Sequence, residues 1–288
     1  MQTPVFRFAP SPNGELHLGH ALSALTGFEL ARRSGGRFLL RIEDIDLDRS
    51  RPQFVQGIFV DLAWLGITWE EPVLVQSQHF PDYLAAADTL ISKGLLYPCF
   101  ATRSEISAAA DPARTDPDGA PLYPGLWKTK APDEVAARFA AGETPAMRID
   151  AGKAVEVYEK THPGTRLTFT ELGHSVEAQT IAAEPRMWGD AVIVRKDVPA
   201  SYHLAVVVDD ARQGVTHVTR GEDLFAATHL QRLLQALLGL PAPVYCHHRL
   251  IAGADGRKLS KSARDTSLKA LREGGATAAD IRRLTGLA

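Results

Sequence analysis

Two histidines near the start of the chain stand at a spacing that suits phosphate chemistry. His17 and His20 follow a turn rich in Pro, Asn and Gly, and a β-type run, Val5 to Phe8, precedes that turn. Because a helical pattern begins near Leu16, the sequence predicts strand, turn and helix. Residues three apart face the same way on a first helical turn. Two imidazoles beside the N–H groups of a helix N-terminus would stabilise a phosphate that gains charge during reaction.

Gly19 lies between these histidines and lacks a side chain, so a flat or bulky ligand could approach the backbone there. The histidine pair could instead cap the helix or bind a metal. Its spacing is poor for zinc, and no third or fourth ligand follows at a familiar distance. The pair alone therefore leaves the kind of site open.

A second segment favours the phosphate interpretation. A Gly-rich stretch, residues 253–256, precedes Lys258 and Lys261. A loop that carries two positive charges could close over a triphosphate and neutralise a departing pyrophosphate. Such a loop is usually only a solvated surface turn, so the prediction depends on its combination with the histidines.

The composition predicts a globular cytoplasmic protein without a membrane partner. The chain has 288 residues, of which 45% are hydrophobic and 23% charged, and these are ordinary globular values. Cys99 and Cys246 are too few for a disulfide framework. We find neither a secretory leader nor an apolar run of membrane-spanning length.

The net charge of −2 is unevenly distributed. From Arg249 onward the chain has nine Lys or Arg and four Asp or Glu, or +5, whereas the rest carries −7. A basic C-terminal region on an acidic body would suit contact with an RNA backbone. A solvated helical face explains the same charge equally well.

The hydrophobic pattern predicts an α/β fold of the Rossmann type. A helix over about residues 16–33 is followed by an apolar strand at 37–42, which gives the first β-α-β unit of a doubly wound parallel sheet. Ligands bind such sheets at the carboxyl ends of the strands. Glu43 falls at such an end, where it could bind an ammonium group or a ribose, or only cap the loop.

The later elements are predicted from the same patterns. We expect helices at 52–65, 80–93, 131–141 and 227–238, and strands at 146–149, 166–170, 190–194, 202–210 and 215–220. The division of the chain is predicted as 1–96, first half of the Rossmann catalytic domain; 97–189, an inserted α+β lobe resembling an acceptor-binding lobe; 190–240, second half of the catalytic domain; and 241–288, the lysine loop with short C-terminal helices.

Five segments together resemble the catalytic half of glutamyl-tRNA synthetases, which are class I aminoacyl-tRNA synthetases. The histidine pair and the lysine loop resemble the HIGH and KMSKS signatures of that class. The segments occur in the family's order and cover nearly the whole chain: residues 7–12, 40–44, 205–210, 219–224 and 258–262. The resemblance implies L-glutamate and ATP with Mg²⁺ as reactants, and a tRNA as the partner.

Length indicates one branch of the family. Only 26 residues follow Ser262, which is room for two short helices at roughly 1.5 Å rise per residue. A full glutamyl-tRNA synthetase continues into a domain that reads the anticodon. The chain is therefore most similar to the short glutamyl-queuosine tRNA(Asp) synthetases. That resemblance implies transfer of glutamate to the queuosine at the wobble position of tRNA(Asp).

Three alternatives stay open at this point. A minimal glutamyl-tRNA synthetase would charge the tRNA 3′ end, and a nucleotidyltransferase of another class could also use His–x–Gly–His. A non-catalytic RNA-binding relative would be expected to lack His17, His20 or the lysine loop, all of which are present. We expect a monomer.

The resemblance also implies individual roles. The residues that map onto the glutamate pocket are Arg7, Ala9, Ser11, Glu43, Tyr202 and Arg220. Those that map onto the ATP site are His17, Gly19, His20, Lys258 and Lys261, and of these His17, His20 and Lys261 are the implied catalytic residues.

One departure from the family concerns zinc. Relatives of this branch often hold zinc in the inserted lobe through Cys-x-Cys followed by Tyr-x-x-x-Cys. Cys99 and Tyr123 stand in two of those places, but Ala101 and Trp127 occupy the two others. Because one thiolate and one phenol cannot make a structural zinc site, we predict that the zinc is lost. Packing by Trp127 would replace it.

Overall fold

The computed structural model describes residues 3–173, 178–251 and 267–287. The strands are β1 Val5–Phe8, β2 Arg37–Ile42, β3 Glu70–Val75, β4 Leu96–Cys99, β5 Ala146–Ile149, β6 Thr168–Glu171, β7 Gln179–Ala182, β8 Val192–Val194, β9 His217–Gly221 and β10 Val244–His248. The helices are α1 Leu18–Arg33, α2 Pro52–Trp64, α3 Phe80–Ser92, α4 Arg103–Ala109, α5 Pro132–Ala140, α6 Ala151–Thr161, α7 Tyr202–Arg212, α8 Phe225–Leu238, α9 Leu268–Glu273 and α10 Ala278–Thr285.

The main sheet confirms the predicted α/β Rossmann-like fold. Its seven strands run in the order β3-β2-β1-β9-β10-β6-β7. Neighbouring strands pair in parallel except at the β6–β7 edge. Helices cover both faces, so strands β1 and β9 lie in the middle of a buried layer.

Side chains alternate between the two faces of this sheet, as the pleat requires. Phe6 and Phe8 of β1 pack with α1, α2 and the C-terminal helices. Val5 of β1 and Val218 of β9 join the opposite cluster, which is formed mainly by α3, α7 and α8. The sheet is therefore packed on both faces.

The structure differs from the sequence prediction at residues 202–210, which form helix α7 and not a buried strand. Ser201 caps the helix, its side chain accepting a hydrogen bond from the backbone N–H of Leu204. The helix packs against α3 and α8. Because both of its sides are buried, its sequence lacks the polar stripe of an amphipathic helix and resembles an apolar strand.

Strand β8 also differs from the prediction. It was expected to resume the parallel sheet, but it pairs antiparallel with β5 in a separate three-stranded sheet of order β4-β5-β8. Conversely β6 and β7, which fall within the predicted inserted segment, lie at the edge of the main sheet. A short run of β-branched residues predicts a strand but carries no signal for its partner. The predicted domain boundaries stay a prediction.

Helices α9 and α10 confirm the two short C-terminal helices. Leu268 and Ile281 are fully buried in the cluster with α1 and α2. The backbone N–H of Leu268 donates to the carbonyl oxygen of Leu16 at 2.8 Å. The C-terminal helices are therefore attached directly to the turn that carries the histidines.

Within the described ranges, no helix combines the length and the apolar character that a bilayer span needs.

Candidate active site

An open cleft of about 490 Å³ lies at the carboxyl ends of β1, β2, β9 and β10, beside the N-terminus of α1. This is where the fold class places ligands. The cleft brings together every predicted site residue that the structure describes: Arg7, Ala9, Ser11, His17, Gly19, His20, Glu43, Tyr202 and Arg220. Their roles stay predictions, but residues more than 200 positions apart line one space.

Lys258 and Lys261 lie outside the described residues. The described residues nearest to them on either side both adjoin the cleft. Ile251 lines it, and Ser267 forms a β-bridge with His17.

The two histidines hold each other in place at the start of α1. His17 is the N-cap residue, and its Nδ1 accepts a hydrogen bond from the backbone N–H of Gly19 at 3.1 Å. The Nδ1 of His20 accepts from the backbone N–H of His17 at 3.1 Å. Since Nδ1 is the acceptor in both rings, each neutral imidazole carries its proton on Nε2. The ring centroids lie 3.9 Å apart, so the two imidazoles lie side by side.

Glycine at position 19 is explained by a contact within the protein, whereas the sequence predicted close approach of a ligand. A Cβ at this position would lie 2.9 Å from Cε1 of His17, closer than real Cβ contacts. The glycine therefore makes room first for the imidazole of His17. A larger residue would displace the ring from its capping position.

Arg7 is buried and its charge is compensated by a carboxylate. Its Nε donates to Asp210 at 3.0 Å, and Asp210 also accepts from Arg41 at 2.8 Å. Burial alone would raise the pKa of Asp210, but the two guanidinium groups hold it below its ordinary value. Asp210 thus acts as an anionic bridge between strands β1 and β2.

Glu43 faces the cleft from the end of β2. Its side chain accepts hydrogen bonds from Arg41 at 3.1 and 3.3 Å. Burial raises the pKa of Glu43 despite the opposing charge of Arg41. A cation arriving in the cleft would stabilise the ionised carboxylate, so Glu43 is suited to an ammonium group.

Arg220 is also buried, but its hydrogen-bond partners among the described residues are all uncharged. They are Nε2 of His247 at 3.1 Å, the hydroxyl of Tyr202 at 3.2 Å, Oε1 of Gln231 at 2.9 Å and Oγ1 of Thr228 at 2.6 Å. Glu222 and Asp223 follow Arg220 closely in the sequence and could form a surface ion pair with it. Arg220 is only 5% exposed, however, and its hydrogen bonds within the described part of the chain go to other residues. A buried cation without a counterion favours an anionic ligand.

The position of the family's zinc is filled by a packed cluster. The thiol of Cys99 lies 3.3 Å from the hydroxyl of Tyr123, which also accepts a hydrogen bond from the backbone N–H of Trp127 at 2.7 Å. The rings of Phe100 and Trp127 are 4.9 Å apart, and Ala101 is buried beside them. These groups do not fit zinc, and loss of the metal stays a prediction that metal analysis of chelator-free protein can test.

Sequence reasoning assigned no role to several buried polar residues around the cleft. Arg41 and Asp210 belong to segments that resemble the family. Each is a charged residue within or directly after an apolar run, and this pattern could have indicated a buried charge. His247 and Glu171 had no such signal. They meet at 2.6 Å although 76 residues separate them.

The comparisons with known proteins agree with the resemblance. Residues 5–284 match the family described as tRNA synthetases class I (E and Q), catalytic domain. A Rhodobacter capsulatus protein named glutamyl-Q tRNA(Asp) synthetase is 46% identical over 98% of this chain and 100% of its own length. A protein of the same name from Symbiobacterium thermophilum is 40% identical over 93% of this chain and 81% of its own.

A solved structure shows the same architecture. It is a glutamate tRNA ligase from Elizabethkingia meningosepticum in complex with its amino acid, with a TM-score of 0.73 and 26% sequence identity. The alignment covers 96% of this chain and 54% of that chain. The chain thus spans about half the length of this ligase but the full length of the Rhodobacter relative.

Proposed function

This chain belongs to the catalytic-domain family of class I tRNA synthetases for glutamate and glutamine, and we propose that it activates L-glutamate with ATP and transfers it to queuosine in tRNA(Asp). The observation that carries the proposal is one cleft that holds both a pair of imidazoles and a buried arginine whose hydrogen-bond partners in the described part of the chain are uncharged. The first suits a phosphate that gains charge, and the second suits a carboxylate.

In the first step the α-carboxylate of glutamate attacks the α-phosphorus of ATP. The new bond joins a carboxylate oxygen to phosphorus, the bond to the β-phosphate breaks, and pyrophosphate leaves with the electron pair. The nucleophile is already ionised at neutral pH, so the reaction needs no general base. Catalysis then consists of positioning and of stabilising charge on the phosphate oxygens.

His17 and His20 are proposed to supply that stabilisation. Because their Nδ1 atoms are held by backbone N–H groups, their orientation is set before the substrate arrives. Preorganised donors cost no reorientation at the moment of reaction. Lys261, assisted by Lys258, is proposed to neutralise the β- and γ-phosphates, a role that rests on the family resemblance.

The glutamate pocket is proposed around Arg220, Tyr202 and Glu43, with Arg7, Ala9 and Ser11 completing its lining. The hydroxyl of Tyr202 accepts from Arg220, so its own proton is directed elsewhere and can be donated to a bound carboxylate. Glu43 lines the same cleft and would receive the α-ammonium group. The pocket thus offers a positive and a negative group to a zwitterionic amino acid.

In the second step a hydroxyl of the queuosine cyclopentene ring attacks the acyl carbon. The new ester bond forms, the bond between the acyl carbon and the phosphate oxygen breaks, AMP leaves with the electron pair, and the hydroxyl proton is released to solvent. The choice of this acceptor is supported by the relatives named glutamyl-Q tRNA(Asp) synthetase, one of which matches along its whole length. Transfer to the tRNA 3′ end is the second candidate, favoured by the similarity to glutamate tRNA ligases.

The C-terminal helices offer less charge to RNA than the sequence indicated. The described cations of helices α9 and α10 are Lys269, Arg272, Arg282 and Arg283, and each contacts a carboxylate of the chain itself. Ion pairing of this kind reduces the positive charge available to phosphates. We therefore assign these helices mainly to support of α1, and their contact with the RNA stem stays a prediction.

Three further proposals complete the function. Mg²⁺ is proposed to accompany ATP, as the family resemblance implies. ATP and tRNA are cytoplasmic substrates, which supports a cytoplasmic location. A monomeric state stays a prediction.

The test is transfer of labelled glutamate to tRNA(Asp) with and without queuosine. Ribonuclease digestion under acidic conditions that preserve the ester then locates the label. We expect label only in the queuosine-containing tRNA and in its anticodon-loop fragment. Label on the 3′-terminal adenosine, irrespective of queuosine, would instead establish the second candidate. Fragment analysis avoids periodate, which would also oxidise the queuosine diol.

A further inference from the structure

His247 lies between Arg220 and a buried carboxylate. Its Nδ1 is 2.6 Å from Oε2 of Glu171, and its Nε2 accepts from Nε of Arg220 at 3.1 Å. The other carboxylate oxygen, Oε1 of Glu171, accepts from the backbone N–H groups of His247 and Gly173 at 2.9 and 2.7 Å. Both oxygens of the carboxylate are therefore held, and so is the imidazole.

These contacts determine the tautomer of the imidazole. An ionised carboxylate can only accept, so the proton of His247 lies on Nδ1 and the lone pair on Nε2 faces the N–H of Arg220. A carboxylate in direct contact with Arg220 would neutralise the guanidinium. The imidazole of His247 instead fixes the orientation of Arg220, and it separates the guanidinium from the negative charge of Glu171.

We propose that Glu171 and His247 are positioning residues that orient Arg220 toward a carboxylate of glutamate and leave its charge available to that ligand. The inference rests on the proposed function and adds two residues that do not line the cleft themselves. It predicts that their removal changes glutamate recognition and leaves ATP recognition intact.

The surroundings keep the imidazole neutral. Glu171 faces it from β6 and Arg220 from β9, while His248 is the neighbouring titratable group on β10. The rings of Tyr245 and Phe225 pack against it. Burial lowers the pKa of His247 and the charge of Arg220 lowers it further, whereas Glu171 opposes both. A neutral imidazole is the form that can accept from Arg220.

Glu171→Gln is the sharpest variant because it keeps the shape and inverts the hydrogen bond. The amide oxygen can still accept from the backbone N–H groups, and the amide nitrogen then donates to Nδ1 of His247. The imidazole proton moves to Nε2, where it meets the N–H of Arg220. We expect the KM for glutamate in pyrophosphate exchange to rise about tenfold or more, with kcat and the KM for ATP within about twofold.

Nitrogen NMR of the histidine side chains reports the tautomer directly. We expect His247 to be protonated at Nδ1 in the wild type and at Nε2 in Glu171→Gln. Glu143→Gln is the matched control, because that carboxylate pairs with Arg138 at the surface. It should change neither the tautomer nor the KM for glutamate.

A second pair of variants tests the same idea at His247. His247→Gln can retain an acceptor near Arg220, whereas His247→Asn can retain only the donor toward Glu171. We expect the KM for glutamate to stay closer to the wild-type value in His247→Gln. If His247 had only a structural role, the KM for glutamate would not be lower in His247→Gln than in His247→Asn.

The outcomes distinguish this inference from the proposed function. Wild-type protein without glutamate-dependent exchange would overturn both. An active wild type with an unchanged KM for glutamate in Glu171→Gln would overturn the inference alone. If Glu171→Gln does not fold, equal KM values for the two His247 variants would overturn it.

Discussion

The two sides of the cleft bury arginine in opposite ways. On the β1–β2 side, Arg7 and Arg41 are paired with Asp210 and Glu43, so each cation has a carboxylate in contact. On the β9–β10 side, Arg220 is equally buried but surrounded by neutral acceptors. The same side chain is therefore part of the scaffold on one side, and on the other side we propose that it binds an anionic ligand.

A buried arginine can contribute to stability or to ligand recognition, depending on whether a carboxylate compensates its charge. A compensated buried cation stabilises the fold only while its partners remain, and it has little charge left for a ligand. A buried cation without a counterion lowers the free energy of unfolding, and binding of an anion stabilises the protein again. Substitutions on the two sides should therefore change different measured quantities.

The largest expected effect is on folding, for Arg41→Met. The substitution leaves Glu43 and Asp210 buried without their shared cation, which should lower the free energy of unfolding by about 3–5 kcal/mol. Urea denaturation at neutral pH measures it. Arg37→Met is the control from the same strand, since its pair with Glu70 is about half exposed and worth up to about 1 kcal/mol. Equal losses in the two variants would contradict the comparison.

His20→Ala should change the rate of chemistry, not the binding of glutamate. Loss of one preorganised donor to the phosphate should raise the barrier to adenylate formation by about 2–4 kcal/mol. The readout is kcat in glutamate-dependent pyrophosphate exchange. His162→Ala, at an exposed position, serves as the control. Unchanged exchange in His20→Ala would eliminate the assigned role.

His203→Phe tests whether the titration of His203 contributes to acid stability. Burial, and then the charge of Arg220, lowers the pKa of His203 from 6.5 to about 4. The unfolded chain thus binds the proton first, so stability is full above pH 6.5 and falls as the pH drops toward 4. At an acidic pH midway, the wild type should have lost roughly 1–2 kcal/mol.

Phenylalanine keeps the edge contact with Trp188 and cannot titrate. The variant should therefore lose less stability than the wild type between neutral and acidic pH, as measured by urea denaturation at each pH. Parallel losses in both proteins would show that His203 does not contribute.

The smallest effect is expected for the stability of Arg220→Met. Removal of an uncompensated buried charge is favourable, and loss of its hydrogen bonds to neutral acceptors is unfavourable. We expect the free energy of unfolding to change by about 1 kcal/mol or less. A loss as large as that of Arg41→Met would mean that Arg220 belongs to the scaffold.

Local patterns predicted the scaffold of the site well. The strand, turn and helix around His17 and His20 could be read from residues that follow one another, and the fold class followed from the first β-α-β unit. The positions expected in the glutamate pocket line a common cleft with them. Their individual roles stay predictions until variants are measured.

The failures have a common physical origin in long-range packing. Helix α7 was predicted as a strand because burial on both sides removes the periodicity that marks a helix. Its acidic residues Asp209 and Asp210 accordingly lie on a helix, where Asp210 meets Arg7 and Arg41. The contact of Glu171 with His247 likewise depends on β6 joining β10 in the main sheet. No local pattern encodes that pairing.

The central claim is that Arg220 keeps its charge for a carboxylate of glutamate. Calorimetric titration of glutamate into wild type, Arg220→Met and the surface control Arg37→Met measures this without catalysis. The account predicts equal affinity for the wild type and the control, and binding weakened by roughly thirtyfold or more in Arg220→Met. Equal affinity in all three proteins would contradict it.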